Sequence, residues 1–297
     1  MKVDRPLLER LGARVVGRRR ELEIVVAALA AGRHVLLEGP PGTGKSTLLR
    51  AVADELGLGF EFVEGNAELT PARLVGHFDP ARVLSDGYVE EIFVDGPLIS
   101  ALRDGSLLYV EEINRIPEET LNVLITVMSE GELHVPRLGH VPAAAGFRLV
   151  AAMNPFDAVG TARISSAVYD RTCRLAMGYQ PADEEVAVVA HQAGEVFADP
   201  AYLAKAVELT RLTRDHPDLR IGSSVRGSID LVLVASSLAQ LRGVRATDLG
   251  VSLDAALVAL SGRVRVREGA ATTSDAIIKE LWERVFAHRP EELPQGK

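Results

Sequence analysis

The run Gly39-Pro40-Pro41-Gly42-Thr43-Gly44-Lys45-Ser46 carries the clearest chemistry in this sequence, as a match to G-x-x-x-x-G-K-[ST]. Glycines at this spacing let successive backbone N–H groups curl around an anionic phosphate. A helix opening at Lys45-Ser46, with Thr47 in its first turn, adds its positive N-terminal end. Lys45 is one of five lysines among 33 basic residues, and it would reach the β- and γ-phosphates of a nucleotide. The Ser46 hydroxyl would ligate Mg²⁺.

A second pattern is Leu107-Leu-Tyr-Val110-Glu111-Glu112, an apolar run that ends in two carboxylates. In a phosphate-loop fold such a strand lies beside the loop. Glu111 would then help hold Mg²⁺, and Glu112 would orient or deprotonate an attacking water. A shorter Asp is usual at the first position. Glu111 has one methylene more, so its carboxylate must fold back or act through a water.

These groups need a frame. His34–Glu38 reads as a buried strand ahead of the loop, and Ser46–Leu56 as the helix after it. Further strands are expected at Phe60–Val63, Leu107–Val110, Phe147–Met153 and Arg174–Tyr179. Helices are expected at Glu21–Ala31, stopped by Gly32, at Leu98–Arg103, and at Pro117–Glu130, with Pro near its start and Gly131 after its end. Apolar runs on either side of Asp86-Gly87 predict a hairpin over 82–94, and a second hairpin is predicted over Glu132–Val141. After Tyr179 the texture changes to helical periodicity, over Asp183–Phe197, Pro200–Asp215, Val225–Leu241, Asp254–Leu260 and Ser274–His288. The expected domains are therefore 1–179, an α/β nucleotide-binding core, and 180–297, a smaller all-helical lid. Arg289–Lys297 read as a polar, frayed end.

Composition narrows the functions. The 297 residues carry a net charge of −8, with 47% hydrophobic and 5% aromatic residues. An acidic chain is a poor general binder of nucleic acid, and few aromatics argue against base-stacking platforms. Cys173, the single cysteine, excludes an internal disulfide and a cysteine metal cage. No run is long enough to span a membrane, and the N-terminus has no apolar leader, so the cytoplasm is the expected setting. His134 and His140 on the second hairpin have no companion ligand and read as exposed histidines. Leu281, Trp282 and Phe286 read as lid core.

The ordered set of motifs resembles the AAA+ ATPases and, within them, the MoxR group with its relatives CbbQ/NorQ. Val15-Val16-Gly17-Arg18 resembles the adenine-side segment, and Gly39–Ser46 the phosphate loop. Asp95-Gly-Pro-Leu98 and Leu107–Pro117 resemble the stretch around the acidic strand. Ala151-Ala-Met-Asn154-Pro155 resembles a sensor strand end. Gly160-Thr161 with Tyr169-Asp-Arg171 resembles the arginine-finger segment, and Gly222-Ser-Ser-Val-Arg226 a second sensor, with Val225 where Pro is usual.

The resemblance implies a P-loop α/β core with a five-stranded parallel sheet, an ATP and Mg²⁺ site, and a homo-oligomeric ring, usually of six. It implies that Asn154 holds the attacking water. Arg171 would enter the neighbouring subunit's site, with Arg163 and Arg174 as competitors. Arg226 would touch the γ-phosphate in cis. The hairpins would be the family's inserts. Members of the group often act with a separate protein carrying a von Willebrand factor A domain, assisting cofactor insertion or complex maturation. An ATP-binding switch with weak hydrolysis, an ATPase subunit of a nucleic-acid-directed complex and a small-molecule P-loop kinase remain as alternatives. Residues 54–132 hold 17 Asp and Glu against four Arg; lining an axial surface, they would repel nucleic acid and favour a basic protein partner.

Overall fold

A computed structural model describes residues 4–155, 165–194 and 199–287. The chain divides at Gly178–Tyr179 into two compact units.

The first unit opens with a helix, α1 (Arg5–Arg14), that the sequence reading did not anticipate. Asp4 caps it by accepting from the Leu7 amide at 3.1 Å, and Leu7 and Leu11 are its buried residues. Then follow α2 (Arg19–Ala30), β1 (His34–Glu38), α3 (Lys45–Leu56), β2 (Phe60–Glu64), α4 (Pro71–Val75), β3 (Gly76–Phe78), α5 (Pro80–Asp86), β4 (Phe93–Asp95), α6 (Pro97–Asp104), β5 (Leu107–Glu111), α7 (Glu118–Glu130), β6 (Glu132–Val135), β7 (Gly139–Pro142), β8 (Arg148–Met153), α8 (Ser166–Arg171) and β9 (Thr172–Ala176).

Five of the strands form one parallel sheet in the order β2-β5-β8-β1-β9. Both faces are buried, so the central strands are almost wholly apolar rather than alternating. Leu36, Leu108, Val110, Leu149 and Ala151 pack on one face with α6 and α7. Val35, Leu37, Leu107, Tyr109, Val150 and Ala152 pack on the other with α1, α2 and α3. The fifth strand lies at Thr172–Ala176, slightly earlier than its expected place. One relationship was invisible in the sequence: β8 sits between β1 and β5, so the acidic strand is not next to the strand that leads into the phosphate loop.

The hairpin expected over 82–94 is corrected. Asp79 accepts from the Ala81 amide at 2.9 Å, Pro80 starts a helix, and Gly87 (φ +73°) ends it. Asp86-Gly87 is thus a helix end rather than a hairpin turn. Leu84 is left 92% exposed, and β4 pairs antiparallel with β3 across the helix. A cap with Pro at the first helical position outweighed two short apolar runs. The second hairpin is present as β6 paired with β7.

The second unit contains α9 (Ala182–Ala193), α10 (Pro200–Asp215), β10 (Leu219–Ile221), α11 (Val225–Arg242), α12 (Leu249–Leu260), β11 (Arg265–Val266) and α13 (Ser274–Trp282). It is helical around one apolar core, with β10 and β11 as a short antiparallel ribbon. Leu281 and Trp282 lie in that core, and the Trp282 indole donates to Ser252 Oγ at 3.0 Å. Helix α9 is described to Ala193, and its expected end at Phe197 falls outside the described residues. The expected end of the last helix at His288 and the frayed tail from Arg289 fall outside the described residues. Among the described residues no helix is long and apolar enough to cross a membrane.

Candidate functional site

Parallel pairing brings the C-terminal ends of β1, β8 and β5 to one edge of the sheet, where ligand sites of open α/β sheets form. The loop after β1 runs from Gly39 to Gly44, and α3 begins at Lys45. A Cβ on Gly39 would lie 2.1 Å from the Met177 carbonyl oxygen, so only glycine fits there. Gly42 and Gly44 have φ of +73° and +83°, which turns the backbone into the helix. Thr43 Oγ1 donates to the Pro40 carbonyl at 3.1 Å. The Lys45 ammonium is buried and donates to the carbonyls of Gly39 at 3.0 Å and Pro40 at 2.9 Å. Pro41 and Thr47 are exposed on the rim.

Ser46 meets the acidic strand. Its Oγ donates to Glu111 Oε1 at 3.3 Å and lies 3.2 Å from the Tyr109 hydroxyl. With its proton given to Glu111, Ser46 accepts from Tyr109. The longer Glu111 therefore reaches the loop helix directly. Burial pushes the Tyr109 phenol above its ordinary pKa. Ser46 and Glu111 supply hard oxygen donors side by side, a set that fits Mg²⁺.

Glu112 follows in the left-handed region, at φ +53° and ψ +42°. For a residue with a side chain that geometry costs roughly 1–2 kcal/mol. Its carboxylate pairs with Arg115 at 2.9 Å. Gly65 makes room for it, since a Cβ there would come within 2.4 Å of the Glu112 carbonyl oxygen. Asn154 is half-buried directly after β8. The preceding Met153 carbonyl accepts from the Gly39 amide at 3.1 Å, which sets Asn154 next in chain to the residue at the loop's root.

Val16 and Gly17 precede Arg18, whose buried guanidinium donates to the Gly178 carbonyl at 2.6 Å and pairs with Glu21 at 2.9 Å. Gly178 adjoins Met177, the residue packed on Gly39, so the segment is tied to the loop's flank. Arg171 ends α8 and turns to α7, with Nε donating to Ser129 Oγ at 2.5 Å and Nη1 to the Ala167 carbonyl at 3.1 Å. Arg174 is committed elsewhere, to the buried Glu38 carboxylate. Arg163, with the Gly160-Thr161 pair, lies outside the described residues. Arg226 is exposed as the second residue of α11 in the second unit. The His134 and His140 rings are 4.7 Å apart, with His140 beside Glu132. Among the described residues no group of three or more His, Cys, Asp or Glu could hold a metal.

Sequence reasoning missed Tyr109 and Glu38. Tyr109 was hidden among apolar strand residues. Glu38 had a readable signal, as the only charged residue in an otherwise apolar buried strand apart from His34 at its start.

A family description, the AAA domain of the dynein-related subfamily, matches residues 34–172. The uncharacterized Bacillus subtilis protein YeaC is 31% identical over 260 residues, which span 79% of this chain and 78% of that one. An uncharacterized Staphylococcus epidermidis protein is 30% identical over 227 residues, spanning 74% and 85% of the two chains. Among solved structures, the RuvB Holliday junction branch migration motor of Thermotoga maritima aligns with a TM-score of 0.56 at 18% identity, over 82% of this chain and 70% of that one. A Cytophaga hutchinsonii protein described as a candidate ATPase aligns at 0.53 and 20% identity, over 94% and 93%. At such identities these two likenesses speak to the fold alone.

Proposed function

The chain belongs to the AAA family, through a domain of the dynein-related subfamily, and on that premise we propose that it hydrolyses ATP within a homo-oligomeric ring to remodel or mature a protein partner. The observation that carries the reading is the meeting of Ser46 and Glu111 at 3.3 Å, at the foot of a glycine-shaped loop that holds Lys45.

In this reading the loop amides and Lys45 bind the β- and γ-phosphates, with Gly39–Thr47 as the cradle and Val16–Gly17 on the adenine side. Ser46 and Glu111 would hold Mg²⁺, which neutralises charge on the phosphate oxygens. Glu112 accepts a proton from the attacking water, and Asn154 orients that water. The water oxygen bonds to the γ-phosphorus as the bond to the bridging oxygen breaks and its electron pair leaves with ADP. Arg171 serves the neighbouring subunit's nucleotide, and Arg226 is assigned the part of γ-phosphate sensor.

Within the family we place the chain with the MoxR group, on the motif order from Val15 to Arg226. That placement favours a six-membered cytoplasmic ring and a partner with a von Willebrand factor A domain. The acidic stretch 54–132 supports a protein partner over nucleic acid.

The test is ATP turnover with and without Mg²⁺, alongside sizing with and without nucleotide. Turnover that needs Mg²⁺, is lost in Lys45→Ala and rises with assembly is expected. Micromolar ATP binding without turnover, even with a partner present, would sink the hydrolase reading.

A further inference from the structure

We propose that Tyr169, Glu38 and Arg174 form a positioning device that sets Arg171 for its work in the neighbouring subunit. The proposal rests on the reading of Arg171 as the arginine that acts in trans.

Glu38 is the last residue of β1, one position before the phosphate loop, and it is 4% exposed. A carboxylate so buried has to be paired. Both of its partners come from one short stretch. The Tyr169 hydroxyl donates to Oε1 at 2.8 Å, and the Arg174 guanidinium holds Oε2. Arg171 lies between them in the chain.

The two ends of that stretch are held differently. Residues 172–176 are fixed by parallel pairing of β9 with β1, which places Arg174 opposite Leu36 and on the same face as Glu38. Helix α8 has no such ladder. Val168 anchors it in the core, Arg171 reaches Ser129, and the Tyr169 hydroxyl is its polar tie to the root of the phosphate loop. The Tyr169 ring is 39% exposed, so it is not kept there for burial. Beside its continuation into β9, the helix that carries Arg171 is therefore tied to the root of the loop by a side-chain bond to one buried carboxylate. Reach across a subunit boundary depends on such registration, because a misplacement of about 1 Å can cost on the order of a hundredfold in rate.

A mixing experiment separates presentation of the arginine from events in the subunit's own site. Acceptor subunits carry Arg171→Ala and keep an intact site of their own. Donor subunits carry Glu112→Gln, are shown to be inactive alone, and supply Arg171. Mixed rings should hydrolyse ATP where a donor flanks an acceptor. Adding Tyr169→Phe to the donor, which removes one hydroxyl, should lower the mixed rate at least about tenfold. ATP affinity and assembly of that donor should be unchanged. Glu38→Gln in the donor, read in the same way, should act alike. A Tyr169→Phe donor as effective as its parent overturns the proposal. So does one that loses ATP binding or assembly, since the damage would then lie in the loop. A donor that also carries Arg171→Ala and still restores turnover overturns the trans-arginine reading instead.

Discussion

Ser46 Oγ and Glu111 Oε1 stand 3.3 Å apart although β8 runs between β1, the strand that leads into the phosphate loop, and β5, the strand that ends in Glu111. The contact is made because α3 packs on the sheet face that carries Tyr109 and Glu111 has the length to meet its first turn. Replacing Glu111 by Gln keeps the length and removes the charge. We expect the Mg²⁺ concentration for half-maximal turnover to rise about tenfold, with metal-free nucleotide binding unchanged. Glu111→Asp would draw the carboxylate back from Ser46 and should give a smaller rise. Titrating Mg²⁺ at saturating ATP checks both.

Tyr109 supplies the second contact to Ser46, from a wholly buried side chain. Tyr109→Phe keeps the ring against Phe60 and Phe62 and removes the hydroxyl. The expected cost is about 1 kcal/mol of stability, that of one net hydrogen bond, read from a urea midpoint at unchanged slope.

Gly39 is the tightest backbone approach at the site, with the Met177 carbonyl 2.1 Å from where a Cβ would stand. Both partners are backbone, so neither can swing aside. Gly39→Ala should destabilise the first unit by at least about 2 kcal/mol and abolish nucleotide binding. Ala at Gly57, which ends α3 in the left-handed region with open space around it, should cost only about 1 kcal/mol and leave binding intact. Thermal unfolding with a fluorescent nucleotide distinguishes the two.

His34 predicts a pH dependence. Burial first, then the charges of Arg148 and Arg33, lowers its pKa from 6.5 to about 4. Its Nδ1 accepts from the Leu149 amide at 2.9 Å, a bond that only the neutral ring can make there. Between pH 6.5 and 4 the unfolded chain binds a proton that the folded chain does not. The stabilisation is thus present above pH 6.5 and lost as pH falls toward 4. From pH 7.5 to 4.5 the loss from this group should be about 2 kcal/mol. His34→Asn, whose side-chain carbonyl can still accept, should flatten that part of the stability curve.

The phosphate loop, the acidic strand end and the succession of buried strands were legible because each is a local pattern. Glycine at 39, 42 and 44 answers a backbone requirement, and an apolar run closed by Glu111 and Glu112 announces a strand that emerges at a polar edge. The same locality misled at 82–94, where the apolar runs around Asp86-Gly87 outspoke the capping signal of Asp79-Pro80.

What the sequence by itself determined is which residues can bind phosphate and metal, and that an α/β core precedes a helical region. Only the tertiary structure decided strand order, and with it that Glu111 reaches Ser46, that Tyr109 contributes a hydroxyl, and that Arg174 is spent on Glu38 while Arg171 turns to Ser129. The reason is physical. Backbone conformation follows from neighbours a few positions apart, whereas a buried charge finds its partner wherever the sheet brings one: Glu38 and Arg174 are separated by 136 positions and joined by strand pairing alone.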